Sequence, residues 1–110
     1  MRDNRIPEIT HLQFLVLGVL LEREQPGRTI RDALRQFGVR RSGPAFYQMM
    51  SRLERDGLVE GWYEQIPAGD QMVTERRYKI RPAGERVWSQ TRSFYESVSR
   101  AVGERRWSNA

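Results

Sequence analysis

Ser42-Gly43-Pro44-Ala45-Phe46-Tyr47-Gln48-Met49-Met50-Ser51-Arg52-Leu53-Glu54-Arg55-Asp56-Gly57-Leu58-Val59-Glu60-Gly61-Trp62-Tyr63 is the stretch from which the rest of the chain can be read. It opens as a helix opens. Ser42 can accept a hydrogen bond from a free backbone N–H, and Pro44 fits a first turn that needs no N–H partner. It closes on Asp56-Gly57, where glycine tolerates the left-handed conformation of a C-terminal cap. Between them Phe46, Met49, Met50 and Leu53 recur at steps of three and four, which predicts one buried face. Tyr47, Gln48, Ser51, Arg52 and Arg55 fall on the opposite face. A strand rich in Leu, Val, Trp and Tyr follows at once. A short helix with a polar, basic outer face joined tightly to a strand is the arrangement with which a helix-turn-helix protein enters a major groove.

Upstream, Thr10 with Gln13 three residues on makes a capping-box pattern. The helix it starts carries Leu12, Phe14, Leu15, Val16, Leu17, Val19, Leu20 and Leu21, so it is apolar almost all round. That describes a central core helix or one shared with a second subunit, with Gly18 open to a close neighbour. Glu22 to Pro26 is a polar break. A second, short helix has Ile30, Ala33, Leu34 and Phe37 as its inner stripe and ends at Gly38. Arg40 and Arg41 then stand just before the third helix, where free N–H groups also favour phosphate.

Downstream, Leu58 to Ile66 reads as a strand, Pro67 to Asp70 as a turn, and Met72 to Ile80 as the returning strand. This wing must pack on the helices, because a two-stranded hairpin alone is marginal. From Pro82 a long helix sets Ala83, Val87, Thr91, Phe94, Val98 and Ala101 or Val102 on one stripe, flanked by Trp88 and Tyr95. A small domain has too little surface to cover it, so pairing with its copy is expected. The expected fold class is mainly α with a small β-hairpin: a winged helix-turn-helix over residues 1–81, with a loose arm at 1–9. A dimerisation helix at 82–103 and a tail at 104–110 complete it.

Composition narrows the chemistry. The 110 residues carry a formal net charge of +5 with 30% charged residues, a balance that favours acidic or phosphate-bearing partners. The absence of cysteine excludes a disulfide framework, a thiol nucleophile and thiolate metal sites. The single histidine, His11, reads as a helix-start residue, so neither a metal nor any other cofactor is expected. No apolar run approaches the roughly 20 residues of a membrane span, and no signal peptide is recognisable. A cytoplasmic protein without membrane contact is expected. No nucleophile is paired with a base and no Gly-rich phosphate loop exists, so the chain does not read as an enzyme.

In combination these residues resemble a known family. The order Ile30…Leu34, Phe46-Tyr47, Arg52-Leu53-Glu54-Arg55-Asp56-Gly57-Leu58-Val59, Arg76-Arg77-Tyr78-Lys79-Ile80 and Pro82-Ala83-Gly84 is similar to PadR-type transcriptional regulators. The likeness runs from about Leu12 to Val102. A single C-terminal helix resembles the short subfamily, whose members include repressors of multidrug transporters. The resemblance implies a homodimeric repressor on an inverted-repeat operator in double-stranded DNA. It puts the third helix in the major groove and the wing on the minor groove or backbone. Tyr47 matches the family's recognition-helix tyrosine, Arg52 its Arg-Leu-Glu arginine, and Arg76 and Arg77 its basic pair at the wing base. Departures are plain: Ala45 stands where Thr or Ser is common, Gly43-Pro44 replaces a looser polar lead-in, and Arg81 replaces a Thr. Gly27-Arg28-Thr29-Ile30 matches Gly-Tyr-Glu-Ile only at its ends. The wing has Asp70 and Met72 in place of a Gly-Gly-Arg tip.

Affinity is expected from arginine on phosphate, at Arg40, Arg41, Arg52, Arg55, Arg76 and Arg77, with Ser42 beside them. Specificity is expected from Gln48 and Ser51, with Tyr47 between base edge and backbone. Arg52 with Glu54 as an ion pair, and Tyr47 packed under the wing, are the competing structural readings. The dimer interface is expected at Leu12, Val16, Val87, Thr91, Phe94, Val98 and Val102. In short PadR-type proteins an aromatic-lined space between the terminal helices can hold flat drugs. Here Trp88, Phe94 and Tyr95, with Leu15 and Val19 behind them, would line it for a small planar aromatic ligand. A winged-helix module that docks a protein instead of DNA is the alternative, favoured by the acids Glu54, Asp56, Glu60 and Glu64.

Overall fold

A computed structural model describes residues 8–104. The outer parts of the expected N-terminal arm and C-terminal tail lie outside the described residues. The order is α1 (His11–Val19), β1 (Gln25–Pro26), α2 (Gly27–Gln36), α3 (Gly43–Arg55), β2 (Val59–Ala68), β3 (Gln71–Ile80) and α4 (Pro82–Gly103). Both expected N-caps form. The Gln13 N–H donates to Thr10 Oγ1 at 3.0 Å while the Thr10 N–H donates to Gln13 Oε1 at 3.0 Å. The Ala45 N–H donates to Ser42 Oγ at 3.2 Å.

The helices α2 and α3 end in the same way. The Leu58 N–H reaches the Leu53 carbonyl at 2.9 Å and the Gly57 N–H the Glu54 carbonyl at 3.0 Å. Gly57 sits at φ 75°, so the last carbonyls are satisfied by a left-handed reversal that a side chain would resist. The same pattern closes α2: the Val39 N–H meets the Leu34 carbonyl at 3.0 Å, and Gly38 has φ 79°. This reversal corrects one expectation. Phe37 caps α2 and leaves its inner stripe, with 69% of its surface exposed. Val39, beyond the reversal, packs on the core in its place.

The core gathers Val16, Leu17 and Leu20 of α1, Ile30 and Leu34 of α2, and Phe46, Met50 and Leu53 of α3. Leu58, Val59, Tyr78 and Ile80 close it from the sheet. Each large apolar side chain so buried is worth about 1.5–3 kcal/mol. The sheet has one strand more than expected, in the order β1-β3-β2. Gln25 and Pro26 pair with Tyr78 and Arg77. A two-residue strand shows no alternation, so the sequence reads only as a polar break there. The wing turn is tighter than expected: β2 and β3 pair out to Ala68 and Gln71, leaving Gly69-Asp70 as the loop.

The head of α4 is fixed by backbone contact. The Arg81 N–H donates to the Leu58 carbonyl at 3.0 Å. Gly84 is buried against that same carbonyl, and a Cβ there would collide with it and stand 2.8 Å from Ile80 Cγ1. Gly84→Ala is therefore expected to cost about 1–3 kcal/mol through overpacking, read as a lowered urea midpoint. An unchanged midpoint would show that the contact is looser than its geometry.

Candidate nucleic-acid interface

The α3 helix turns Phe46, Met50 and Leu53 inward, which leaves Tyr47, Gln48, Ser51, Arg52 and Arg55 exposed. Arg40 and Arg41 are exposed immediately before it. Among the described residues Arg40, Arg41 and Arg52 have no ion-pair partner. Arg55 lies 4.0 Å from its exposed neighbour Asp56, a contact that contributes little in water. Ser42 spends its hydroxyl on the cap. Tyr47 is 39% exposed, and its ring meets Phe46 edge-on at 5.0 Å. A Cβ on Gly27 would stand 3.0 Å from its hydroxyl. Tyr47 thus rests on the start of α2, half packed and half open.

Two arginines join this face that the sequence reading passed over. Arg31 donates to the Arg41 carbonyl at 3.1 Å and stacks over Phe46 at 5.9 Å. With Leu34, Arg35, Val39 and Arg41 it lines a shallow depression at the α2–α3 corner. Arg35 is held by Asp32 at 2.6 Å. The available signal was the i,i+4 spacing of Arg31 and Arg35, opposite the apolar stripe of α2.

Arg76 and Arg77 are placed differently from the expectation. They are not free cations at the wing base. Arg76 is bonded to Glu54 of α3 at 2.7 Å and lies over Tyr63 at 4.6 Å and Tyr78 at 5.4 Å. Gly61 makes the room, because a Cβ there would strike the Glu54 carboxylate. So Glu54 is paired with the wing and not with Arg52. Arg77 bonds Glu75 at 2.8 Å and lies 3.5 Å from Glu24 and 3.6 Å from Glu64, while Arg28 lies 3.0 Å from Glu75. The Arg77 Nε and Glu75 Oε1 contacts are charge contacts without hydrogen-bond alignment. The reason for the difference is charge balance: four carboxylates from four parts of the chain converge on this pair.

Desolvation opposes the charge on Arg76, but the Tyr78 hydroxyl and Glu54 outweigh it and raise its pKa. Burial pushes the Tyr78 phenol up, against the opposing pull of Arg76. An unfolded tyrosine ionises near about pH 10, so above that pH the unfolded chain holds fewer protons at this site than the folded one. Stability is then present below that pH and lost as pH rises through the folded value. Tyr78→Phe is expected to flatten this alkaline loss, measured as urea midpoints from about pH 9 to 11. An identical pH profile in wild type and variant would refute it.

A second cluster lies between α1 and α4. Phe14 and Trp88 stack at 5.5 Å with planes 9° apart, and Tyr95 stands 6.3 Å from Phe14. His11, the first residue of α1, faces the Tyr95 hydroxyl at 3.4 Å. Phe94 meets Tyr95 edge-on at 5.3 Å. Leu15 and Val19 are half-buried. The neighbour that Gly18 admits is the Trp88 indole, whose Nε1 would stand 3.1 Å from a Cβ there. Two expected interface residues belong to the protomer's own core. Val16 is fully buried and Thr91 is 1% exposed, its hydroxyl turned back to the Val87 carbonyl at 2.7 Å. Leu12, Val87 and Phe94 are half-buried, and Val98 and Val102 are exposed. Among the described residues no helix is long and apolar enough to cross a membrane, and no group of three His, Asp or Glu side chains could hold a metal ion.

No protein-family model matches the chain, and no curated protein matches it. Solved structures do. A PadR-family transcriptional regulator from Eggerthella lenta is 26% identical, with TM-score 0.65 over 89% of this chain and 83% of its own. A PadR-family regulator from Clostridium difficile superposes with TM-score 0.73 at 13% identity, over 86% and 97%. Bacillus subtilis PadR in complex with operator DNA gives TM-score 0.59 at 17% identity over 73% of this chain and 46% of that one. These neighbours are regulators, not enzymes. With three core helices, a wing tied to the third and one long terminal helix, the chain is PadR-like, of the winged-helix fold that those regulators share.

Proposed function

We propose that this chain is a homodimeric, sequence-specific DNA-binding transcription regulator, acting as a repressor in the cytoplasm. The observation that carries the reading is the outer face of α3. Among the described residues it presents Gln48, Ser51 and Arg52 without side-chain partners, preceded by Arg40 and Arg41, which have no ion pair there. A helix so furnished offers base-edge readers within a frame of phosphate-binding cations. Arg31 lies close enough to Arg41 to widen that frame. The operator-bound Bacillus subtilis PadR supports the same docking by its likeness in fold. The test is selection from a random duplex pool at about 0.15 M salt. An inverted repeat with half-sites about one turn apart is expected, and no enrichment from folded protein would refute the reading. The Arg40→Ala/Arg41→Ala variant is expected to weaken binding to all duplexes alike and reduce the salt slope by about 2. Gln48→Ala is expected to cost about 1–3 kcal/mol at one base pair only.

Dimerisation rests on the distal half of α4. Tyr95, Val98 and Val102 are 38%, 36% and 56% exposed on one apolar stripe, a surface that a second copy would cover. Val98→Asp is expected to convert dimer to monomer in sedimentation equilibrium, with helix content kept. A dimer of unchanged strength would move the interface elsewhere. A small planar aromatic effector would enter this reading beside Trp88 and Tyr95, where Phe14 already supplies a stacking partner at 5.5 Å.

A further inference from the structure

The charges of this chain are segregated. From residue 56 to residue 75 there are five acids, Asp56, Glu60, Glu64, Asp70 and Glu75, and no lysine or arginine. The segment therefore carries −5 and the remainder +10, against a net +5 for the whole. It comprises all of β2 and the outer half of β3. Beyond the Tyr63–Arg76 rung the hairpin continues for five paired residues per strand, a reach of about 17 Å. Its last apolar rungs are Ile66 opposite Val73 and Pro67 opposite Met72. Successive rungs face opposite sides of a ribbon, so each side of the tip carries one of them. Met72 is 59% and Val73 40% exposed, and Tyr63 near the base is 70% exposed.

We propose that the outer wing is a protein-docking arm, and that it fits a partner surface with an apolar depression rimmed by arginine or lysine. Two observations argue against nucleic acid as its occupant. A duplex offers phosphates, and this arm has no cation to meet them and a carboxylate, Asp70, in the Gly69-Asp70 turn at its extremity. Of the cations at its base, Arg76 is bound to Glu54 and Arg77 to Glu75, and Lys79 stands at the root, opposite Glu60 and away from the tip. What the arm does offer at its tip is exposed aliphatic surface beside the Asp70 carboxylate, the complement of an apolar patch with a basic rim. This inference goes beyond DNA binding by α3 and does not require it.

The test has two arms. A displayed library of random peptides is panned on the full-length protein and scored against Met72→Lys and Val73→Asp, which alter exposed side chains. Peptides that combine aliphatic or aromatic residues with Arg or Lys are expected. Their binding should fall about tenfold or more in each variant and weaken with salt. No enrichment, or peptides that bind both variants as well as wild type, would overturn the proposal. Because the chain has no cysteine, Asp70→Cys also gives a single attachment point for a DNA-cleaving iron chelate. On a selected operator the tethered chelate is expected to leave the minor groove uncut. Cleavage centred on a minor groove would place the tip in DNA and overturn the proposal. If no duplex is retained at all, it is the α3 reading that fails, and the peptide arm decides for the wing by itself.

Discussion

Leu58 ties α3, the wing and α4 together. Its N–H satisfies the Leu53 carbonyl and so terminates α3. Its carbonyl receives the Arg81 N–H at the head of α4, and Gly84 lies flat against it. Its side chain fills the core between the helices and the sheet. One residue thus fixes the exit angle of the candidate recognition helix, the root of the wing and the launch of the terminal helix. Only the left-handed Gly57 lets the chain reverse tightly enough for this. The distance between α3 and α4 is therefore a backbone constraint. A displacement of α4 would have a short, stiff route to the exposed face of α3.

Fourteen carboxylates against nineteen basic side chains leave no simple rule for which arginines are free, and the fold sorts them. Arg76 and Arg77 are consumed at the wing base, where Glu54, Glu24, Glu64 and Glu75 converge. Partly buried pairs of this kind lose much of the screening that makes surface pairs weak. Their consequence is geometric: the wing is fastened to α3 through Glu54 and to α2 through Arg28 and Glu75. Arg40 and Arg41 in the α2–α3 connection and Arg52 on α3 remain outside that network, on the face that would meet a duplex.

Much of this was legible in the sequence because it depends on local rules. The caps at Thr10 and Ser42, the glycine stops at 38 and 57, and the apolar stripe of α3 each follow from neighbours within four residues. What was not legible depends on contacts distant in sequence. The strand at Gln25–Pro26 exists because Arg77 and Tyr78 present an edge to it. Phe37 reads as stripe by spacing, but the helix has ended before it. The fate of Arg76 was hidden for the same reason. Its partner is 22 residues away, and the glycine that admits the pair, Gly61, reads merely as a weak point in a strand. Val16 and Thr91 fit an interface stripe by period alone, and only packing reveals that the protomer already buries them.

The two fates of arginine and the acid-rich wing are one fact seen from two sides. The hairpin's four acids, Glu60, Glu64, Asp70 and Glu75, face a body of opposite charge, so the hairpin is drawn onto it at the root. That attraction neutralises the two arginines, Arg76 and Arg77, at the base of the wing. It leaves the outer rungs, too far away to be paired, as exposed aliphatic surface with an acidic turn. Attachment at the base and availability at the tip therefore come from the same charge segregation. A duplex-binding wing would need the reverse arrangement, with acids at the root and cations at the end.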